Sequence, residues 1–296
     1  MKLYFYRGKY PNFGDEINTW LMPKVFPAFF DNNDTTLFLG IGSILFDHYP
    51  SKCRKVVFGS GYGGYTAPPK FDENWMVYCV RGPRTAEACG LKQDKVAGDP
   101  AILTSRYRKR PQQLASRIAF MPHWESLDWG DWQTACRLAG IYFIDPRRSV
   151  DEVLDEIEAS TALIAEAMHG AIVADALRVP WIPAQPLHAS HRFKWLDWAE
   201  ALDLKLAPHS LWPSTAQEAF MAVTQRRSHR LKHPGGIVAL GTRCANPAFT
   251  MLAAARLRLL SRKEPVLSSD TALARALDQL ETHAEKIKVD WGVARS

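Results

Sequence analysis

The 296-residue sequence lacks most of the marks that would place it in an obvious class. No apolar run approaches the ~20 residues of a membrane-spanning helix. The segment from Met1 to Tyr6 has no long apolar stretch of the secretory type, so no signal peptide is expected. The five cysteines (53, 79, 89, 136 and 244) are odd in number and include no Cys-x-x-Cys pair. That argues against a disulfide framework or a zinc site and for a reducing, cytoplasmic setting, free or at the inner face of the membrane. There is no Gly-Lys-Ser/Thr, and the Gly-rich stretch 59–64 does not follow the first strand, so neither a P-loop nor a dinucleotide fingerprint is present. Three-ligand metal spacing is absent, His188 and His191 standing without a third partner, and no metal is expected. No internal repeat or low-complexity tract is found.

What remains is the composition of a globular protein, 47% hydrophobic and 23% charged, long enough for two domains. The net charge of +6 suits an anionic partner, and without a nucleic-acid motif we discount nucleic acid. Ten tryptophans are available to line a sugar site or to fill cores, the core being the more frequent use.

Short apolar strands followed by Gly-rich loops or helices run through the first half. Strands are predicted at 2–6, 36–39, 56–58 and 76–80, with helices from about Glu16 and from Pro83 to Gly90. The pattern restarts with strands at 118–121, 141–144, 162–165 and 179–182. Helices are predicted at 129–139, after the Ser149–Glu152 capping box, and at 171–178. This is the pattern of parallel α/β sheets. The basic stretch 105–113 separates the two runs. The expected division is therefore 1–110, 111–245 and a helical extension, 246–296, with helices at 247–262 and 269–288.

Ligands of open α/β sheets bind beyond the carboxyl ends of the strands. The polar residues there are Arg7, Asn12, Asp15, Ser43, Ser60, Arg81, Arg84, Asp99, His123 and the turn Glu166–Gly170. His169 in that turn links a strand to a helix start, where backbone N–H groups can hold an anion and an imidazole can move a proton. The alternative is a histidine that merely caps the turn. Arg81 and Arg84 flank another helix start, and Arg192 and Lys194 flank Phe193 in a loop after a strand; each cation has a solvated surface role as its alternative. Asp15 is either a helix cap or a carboxylate at the cleft mouth. Asp99-Pro100 has the form of a structural turn.

Taken in order, Asn12-Phe13-Gly14-Asp15, Val80-Arg81-Gly82-Pro83, Gly98-Asp99-Pro100, Pro122-His123, Met168-His169-Gly170 and Arg192-Phe193-Lys194 resemble the polysaccharide pyruvyl transferase family, especially its bacterial ketal-forming members of the xanthan and succinoglycan type. The resemblance covers roughly residues 1–200. It implies a fold like that of GT-B glycosyltransferases, two Rossmann-like domains facing a cleft. It implies phosphoenolpyruvate as donor substrate, no further cofactor, and a saccharide acceptor, often lipid-linked. Many members carry Arg-Leu-His at the His turn, the Arg helping to bind the donor. Here those positions are Ala167 and Met168, and Arg192 or Lys194 is expected to supply the missing cation. The implied catalytic group is His169 with Asp15 or His123; Arg81, Arg84, Met168, Gly170, Asn12, Ser43 and Ser60 complete the expected substrate-binding set. Two alternatives stand beside this: a nucleotide-sugar glycosyltransferase, although Ala174 rather than an acid follows Glu166 after seven intervening residues, and a non-catalytic saccharide-binding protein. The basic segment 252–263 is expected either to pack on the body or to touch an acidic membrane.

Overall fold

The computed structural model describes residues 1–108, 117–225 and 237–292. Its first half is a four-stranded parallel sheet of β1 (Lys2–Tyr4), β2 (Thr36–Leu39), β3 (Arg54–Ser60) and β4 (Trp75–Val80), side by side in chain order. Helices α1 (Phe13–Val25), α2 (Pro83–Ala88) and α3 (Thr104–Tyr107) belong to this half. The second half is a five-stranded parallel sheet. Its strands are β5 (Ile118–Met121), β6 (Tyr142–Phe143), β7 (Ala162–Ala165), β8 (Trp181–Gln185) and β9 (His209–Ser210), ordered β6-β5-β7-β8-β9. Its helices are α4 (Trp132–Ala139), α5 (Val150–Glu158), α6 (Met168–Ala176), α7 (Arg192–Ala201) and α8 (Ala216–Thr224), and the chain ends in α9 (Ile237–Leu260) and α10 (Asp270–Asp290). Two all-parallel sheets with helical crossovers make this an α/β protein of two Rossmann-like units. Of the predicted boundary stretch 105–113, residues 109–113 lie outside the described residues.

The strands are apolar because helices cover both faces. Phe38 and Val56 sit in register between β2 and β3 and are fully buried. The C-terminus of α1 delivers Phe26 onto this sheet, where its ring packs edge-on to Phe38 and Phe58 at centroid distances of 5.0 and 5.3 Å. Trp132, Trp181 and Trp198 are fully buried core residues. The capping box forms as predicted, Ser149 accepting from the Glu152 N–H and the Glu152 carboxylate from the Ser149 N–H. Val150, Val153, Leu154 and Ile157 bury one face of α5. Gly140 closes α4 in the left-handed region at φ 70°, where only glycine is free of strain.

Among the boundaries that differ from expectation, three matter for the site. The α1 helix begins at Phe13 rather than about Glu16. The α6 helix begins at Met168 rather than 171, so His169 lies in its first turn. Arg192, Phe193 and Lys194 open α7 and are not in a loop. Periodicity reveals the buried stripe of a helix, whereas the first turn is set by tertiary contacts.

The last two helices pack on the body. Ala253, Ala254, Leu257 and Leu260 of α9 are buried, and α9 lies along α4. The chain then returns to the first half, where α10 buries Leu273, Leu277 and Leu280 against the region of β3 and β4. Tyr78 donates to Asp290 at 2.8 Å. No helix among the described residues is long and apolar enough to cross a membrane.

Candidate active site

The site lies where the carboxyl ends of β1, β5 and β7 meet, and its centre is His169. Helix α6 starts without a side-chain cap: Ala167 occupies the N-cap and offers no oxygen. Helix α1 starts at Asn12 without a side-chain cap bond either, because Asn12 donates its amide to the Asp15 carboxylate at 2.8 Å. The first N–H groups of a helix have no partner within it. Two uncapped helix starts therefore converge here, because the His169 ring lies against the backbone of Gly14. A Cβ built on Gly14 would stand 2.1 Å from His169 Nδ1. Gly170 follows the same logic one residue on: a Cβ there would be 2.6 Å from Met121 Sδ, so glycine lets α6 lie down on β5. Met168 is buried beneath the turn.

Behind the imidazole stands Asp99. Its carboxylate is fully buried and lies 3.5 Å from His169 Nε2. One oxygen caps the following 3-10 turn by accepting from the Ala101 N–H at 3.0 Å. The other, Oδ2, has no hydrogen-bond partner, and neither has His169 Nε2. Two buried, unsatisfied and complementary atoms at this separation form a dyad that closes by a small movement. The carboxylate favours the proton on Nε2, which leaves Nδ1 facing the start of α1. Sequence reading takes Asp99 for a turn residue; its place beside His169 is a tertiary fact.

Asp15, at the third position of α1, is half-buried. Burial raises its carboxyl above the usual range, while the Asn12 hydrogen bond and the charges of His169 and Lys194 pull it back down. The positive charge of Lys194 also lowers the pKa of His123, Glu125 and His191. Arg192 is exposed.

His123 is buried, and its pKa falls well below the ordinary value, first through burial and then through the neighbouring charges of His191 and Lys194. It is thus a neutral imidazole whose Nδ1 accepts from the Glu125 N–H at 3.3 Å. Its ring stacks on His191 at a centroid distance of 4.1 Å. His191 lies between Tyr65 Oη (3.1 Å) and Glu125 Oε2 (3.0 Å), so Tyr65 of the first half and Glu125 of the second meet on one ring. Burial pushes His191 down to about 4. Beneath this layer Glu166 is buried and pushed up to about 7, mainly by burial. It accepts from the His123 N–H (2.8 Å), Ser126 Oγ (3.0 Å) and the Leu187 N–H (3.3 Å), which ties the loops after β5, β7 and β8 together.

His123, Glu125 and His191 also bring three donor atoms within 4.8 Å of one another, a set that could hold a metal ion and that no sequence spacing foretells. The set is an imperfect fit for a cation. Both nitrogens of His191 are already engaged, and the Lys194 charge opposes a second cation.

The remaining expected residues are engaged in bonds within the protein. Arg81 is fully buried, its Nε on Asp197 at 2.8 Å, its other nitrogens on Ser43 Oγ (2.8 Å) and the Tyr62 carbonyl (3.1 Å). Asp197 also accepts from the Thr85 N–H and hydroxyl at 2.7 Å each. Through these bonds Arg81 ties the first half to α7. Ser43 is one of its supports. Ser60 donates to the Gly40 carbonyl at 2.6 Å, a backbone brace. Arg84 pairs with Glu200 of α7 at the surface.

The sequence that builds this site has counterparts among known proteins. Residues 14–184 match the polysaccharide pyruvyl transferase family. The chain belongs to that family. It is also similar to the succinoglycan biosynthesis protein ExoV of Rhizobium meliloti (strain 1021), at 33% identity over 317 aligned positions that cover 98% of this chain and all of the relative. No solved structure matches it. For this pyruvyl transferase family member, the matched residues span both sheets and include Gly14, Asp15, Asp99, His123 and His169.

Proposed function

We propose that the chain forms a cyclic pyruvate ketal on a saccharide, with phosphoenolpyruvate as donor, in the assembly of an exopolysaccharide or other surface glycan. The observation that carries this reading is the meeting on His169 of two helix starts without side-chain caps, with Asp99 behind the ring and the charge of Lys194 acting on Asp15. The start of α6 and the dipoles of both helices favour an anion, whereas the Phe13 N–H at the start of α1 is already taken by the Pro146 carbonyl at 2.7 Å. Phosphoenolpyruvate brings both a phosphate and a carboxylate.

In this reading residues 1–110 and 111–245 are the two walls of the cleft, and Lys194 supplies the cation that Ala167 lacks. His169, oriented by Asp99, contacts the phosphate and delivers a proton to C3 of the donor. C2 becomes electrophilic, like an oxocarbenium ion, and one sugar hydroxyl adds to it, its proton passing to Asp15. A second hydroxyl of the same sugar then displaces phosphate from C2 and closes the ketal ring. Phosphate departs as hydrogen phosphate, carrying the second hydroxyl proton. His123, neutral and stacked, is the other candidate base toward the acceptor.

The test is incubation with phosphoenolpyruvate and a panel of lipid-linked and free acceptor glycans. Release of inorganic phosphate together with a pyruvate adduct by mass is expected. Release of a nucleotide from sugar nucleotides instead, or acceptor binding with neither product, would overturn the proposal in favour of a glycosyltransferase or a binding protein.

A further inference from the structure

Helix α9 is apolar on both sides. Its inner face, Ala253, Ala254, Leu257 and Leu260, is buried against the body. Its outer face should then be polar, as on a surface helix. Instead the outward positions Pro247, Ala248, Met251, Leu252, Ala255 and Leu259 recur at helical spacing, with Met251 65%, Leu252 53% and Leu259 47% exposed. Helix α8 packs beside it, joined by the bonds from Ala216 N–H to Asn246 and from Thr250 to the Ser214 carbonyl. It adds Val223, 83% exposed, and Phe220. Exposed large apolar side chains at this density mark an interaction site.

Charge identifies the partner. From Ala219 to Lys263 the sequence holds nine Lys and Arg and not one Asp or Glu. Setting this stretch aside leaves 28 basic against 31 acidic residues of the chain's 37 and 31, so the whole positive excess resides in it. At the end of the apolar stripe, Arg262 and Lys263 are exposed. An apolar stripe that ends in exposed cations, within a stretch rich in Lys and Arg, is the design of a helix lying in an anionic lipid interface. We propose that the outer face of α9, with Phe220 and Val223 of α8, docks this protein on the anionic surface of a phospholipid bilayer. The chain would then lie on the membrane without crossing it, at the surface where a lipid-linked acceptor is held. This inference does not rest on the donor chemistry, and its test involves no turnover.

The experiment is co-sedimentation of the full chain with vesicles of phosphatidylcholine alone and of phosphatidylcholine with about a third phosphatidylglycerol, the anionic arm carrying the attraction. Binding is expected to the anionic vesicles, to be negligible on the neutral ones, and to be lost in about 1 M NaCl, where the screening length is roughly 3 Å. Met251→Glu/Leu252→Glu and Arg262→Glu/Lys263→Glu should each weaken it about tenfold or more. All four positions are exposed, so the thermal midpoint should stay put and separate lost docking from lost folding. Binding that ignores lipid charge, or that neither double variant alters, overturns the proposal. So does a stable dimer that Met251→Glu/Leu252→Glu dissociates and anionic vesicles do not, because the stripe would then belong to a second copy of the chain.

Discussion

The imidazole of His169 rests on the backbone of Gly14, with no room for a Cβ between them. A residue at the start of α6 thus depends on a missing side chain at the start of α1. Gly14→Ala should force the ring aside and destabilise the protein by ~1–3 kcal/mol, the usual cost of overpacking. In a His169→Ala background the same change should cost almost nothing, because the obstacle is gone. A double-mutant cycle by urea denaturation measures this coupling. Additive costs would show that the two residues do not meet.

His169→Ala itself should lose about 10²- to 10⁴-fold in kcat, the range for a general acid or base. Asp99→Asn tests the dyad behind it. The amide keeps an oxygen to cap the Ala101 N–H but no longer offers Nε2 a charged acceptor. A hydrogen bond to a charged group contributes ~1.5–3 kcal/mol, so kcat should fall roughly 10- to 150-fold. KM for phosphoenolpyruvate should change little. Unchanged kcat would reduce Asp99 to a turn residue, the role that the sequence alone suggests.

Much of the fold is legible in the sequence, because buried parallel strands leave runs such as Leu37-Phe38-Leu39 and Leu163-Ile164-Ala165, and because Ser149, Gly140 and Pro83 punctuate helices locally. The site is legible only where function falls at a strand end, as with His169, Asp15 and His123. The partners of Asp99 and Asp197 are out of reach, since each lies across the gap between the two sheets, and Glu125 meets His191 only because two distant loops of the second half fold together. Arg81 shows the converse. An arginine after a strand has the form of an anion clamp, and only the tertiary structure reveals that Asp197 already occupies it.

That pair makes its own prediction. Arg81 and Asp197 are both fully buried. Removing one partner of such a pair strands the other's charge, at a cost of ~3–5 kcal/mol. Arg81→Ala should therefore lower the urea midpoint sharply. A stable Arg81→Ala protein whose KM for phosphoenolpyruvate is raised would return Arg81 to the donor.

Lys194 and Arg192 are two positions apart and differ in exposure. Lys194 is half-buried and its charge acts on Asp15, His123, Glu125 and His191, whereas Arg192 is exposed. Lys194→Ala should raise the KM for phosphoenolpyruvate about tenfold or more, as loss of a charged hydrogen-bond donor would. Arg192→Ala should leave it within about twofold. Steady-state kinetics on the two variants decides between them, and the reverse order would place Arg192 in the site.

The stacked histidines should make stability depend on pH. Burial holds His191 near 4 in the folded chain, against an ordinary value of 6.5. Between these values the unfolded chain binds the extra proton, so this group's contribution is full above about pH 6.5 and is lost as pH falls toward 4. His123 shifts in the same direction. Glu166 opposes them. Its carboxyl is raised to about 7, so the folded chain holds its proton and this contribution fades as pH rises from about 4.5 to 7. The wild-type curve therefore sums opposing slopes, and a difference between proteins is needed to separate them. Urea midpoints from pH 4 to 7 should show that His191→Gln loses less stability on acidification than wild type, by on the order of 1–3 kcal/mol across the window. Glu166→Gln should flatten the limb of opposite sign. Parallel curves for wild type and His191→Gln would mean that His191 keeps an ordinary pKa between Tyr65 and Glu125, and that the interface between the two halves admits water at that ring.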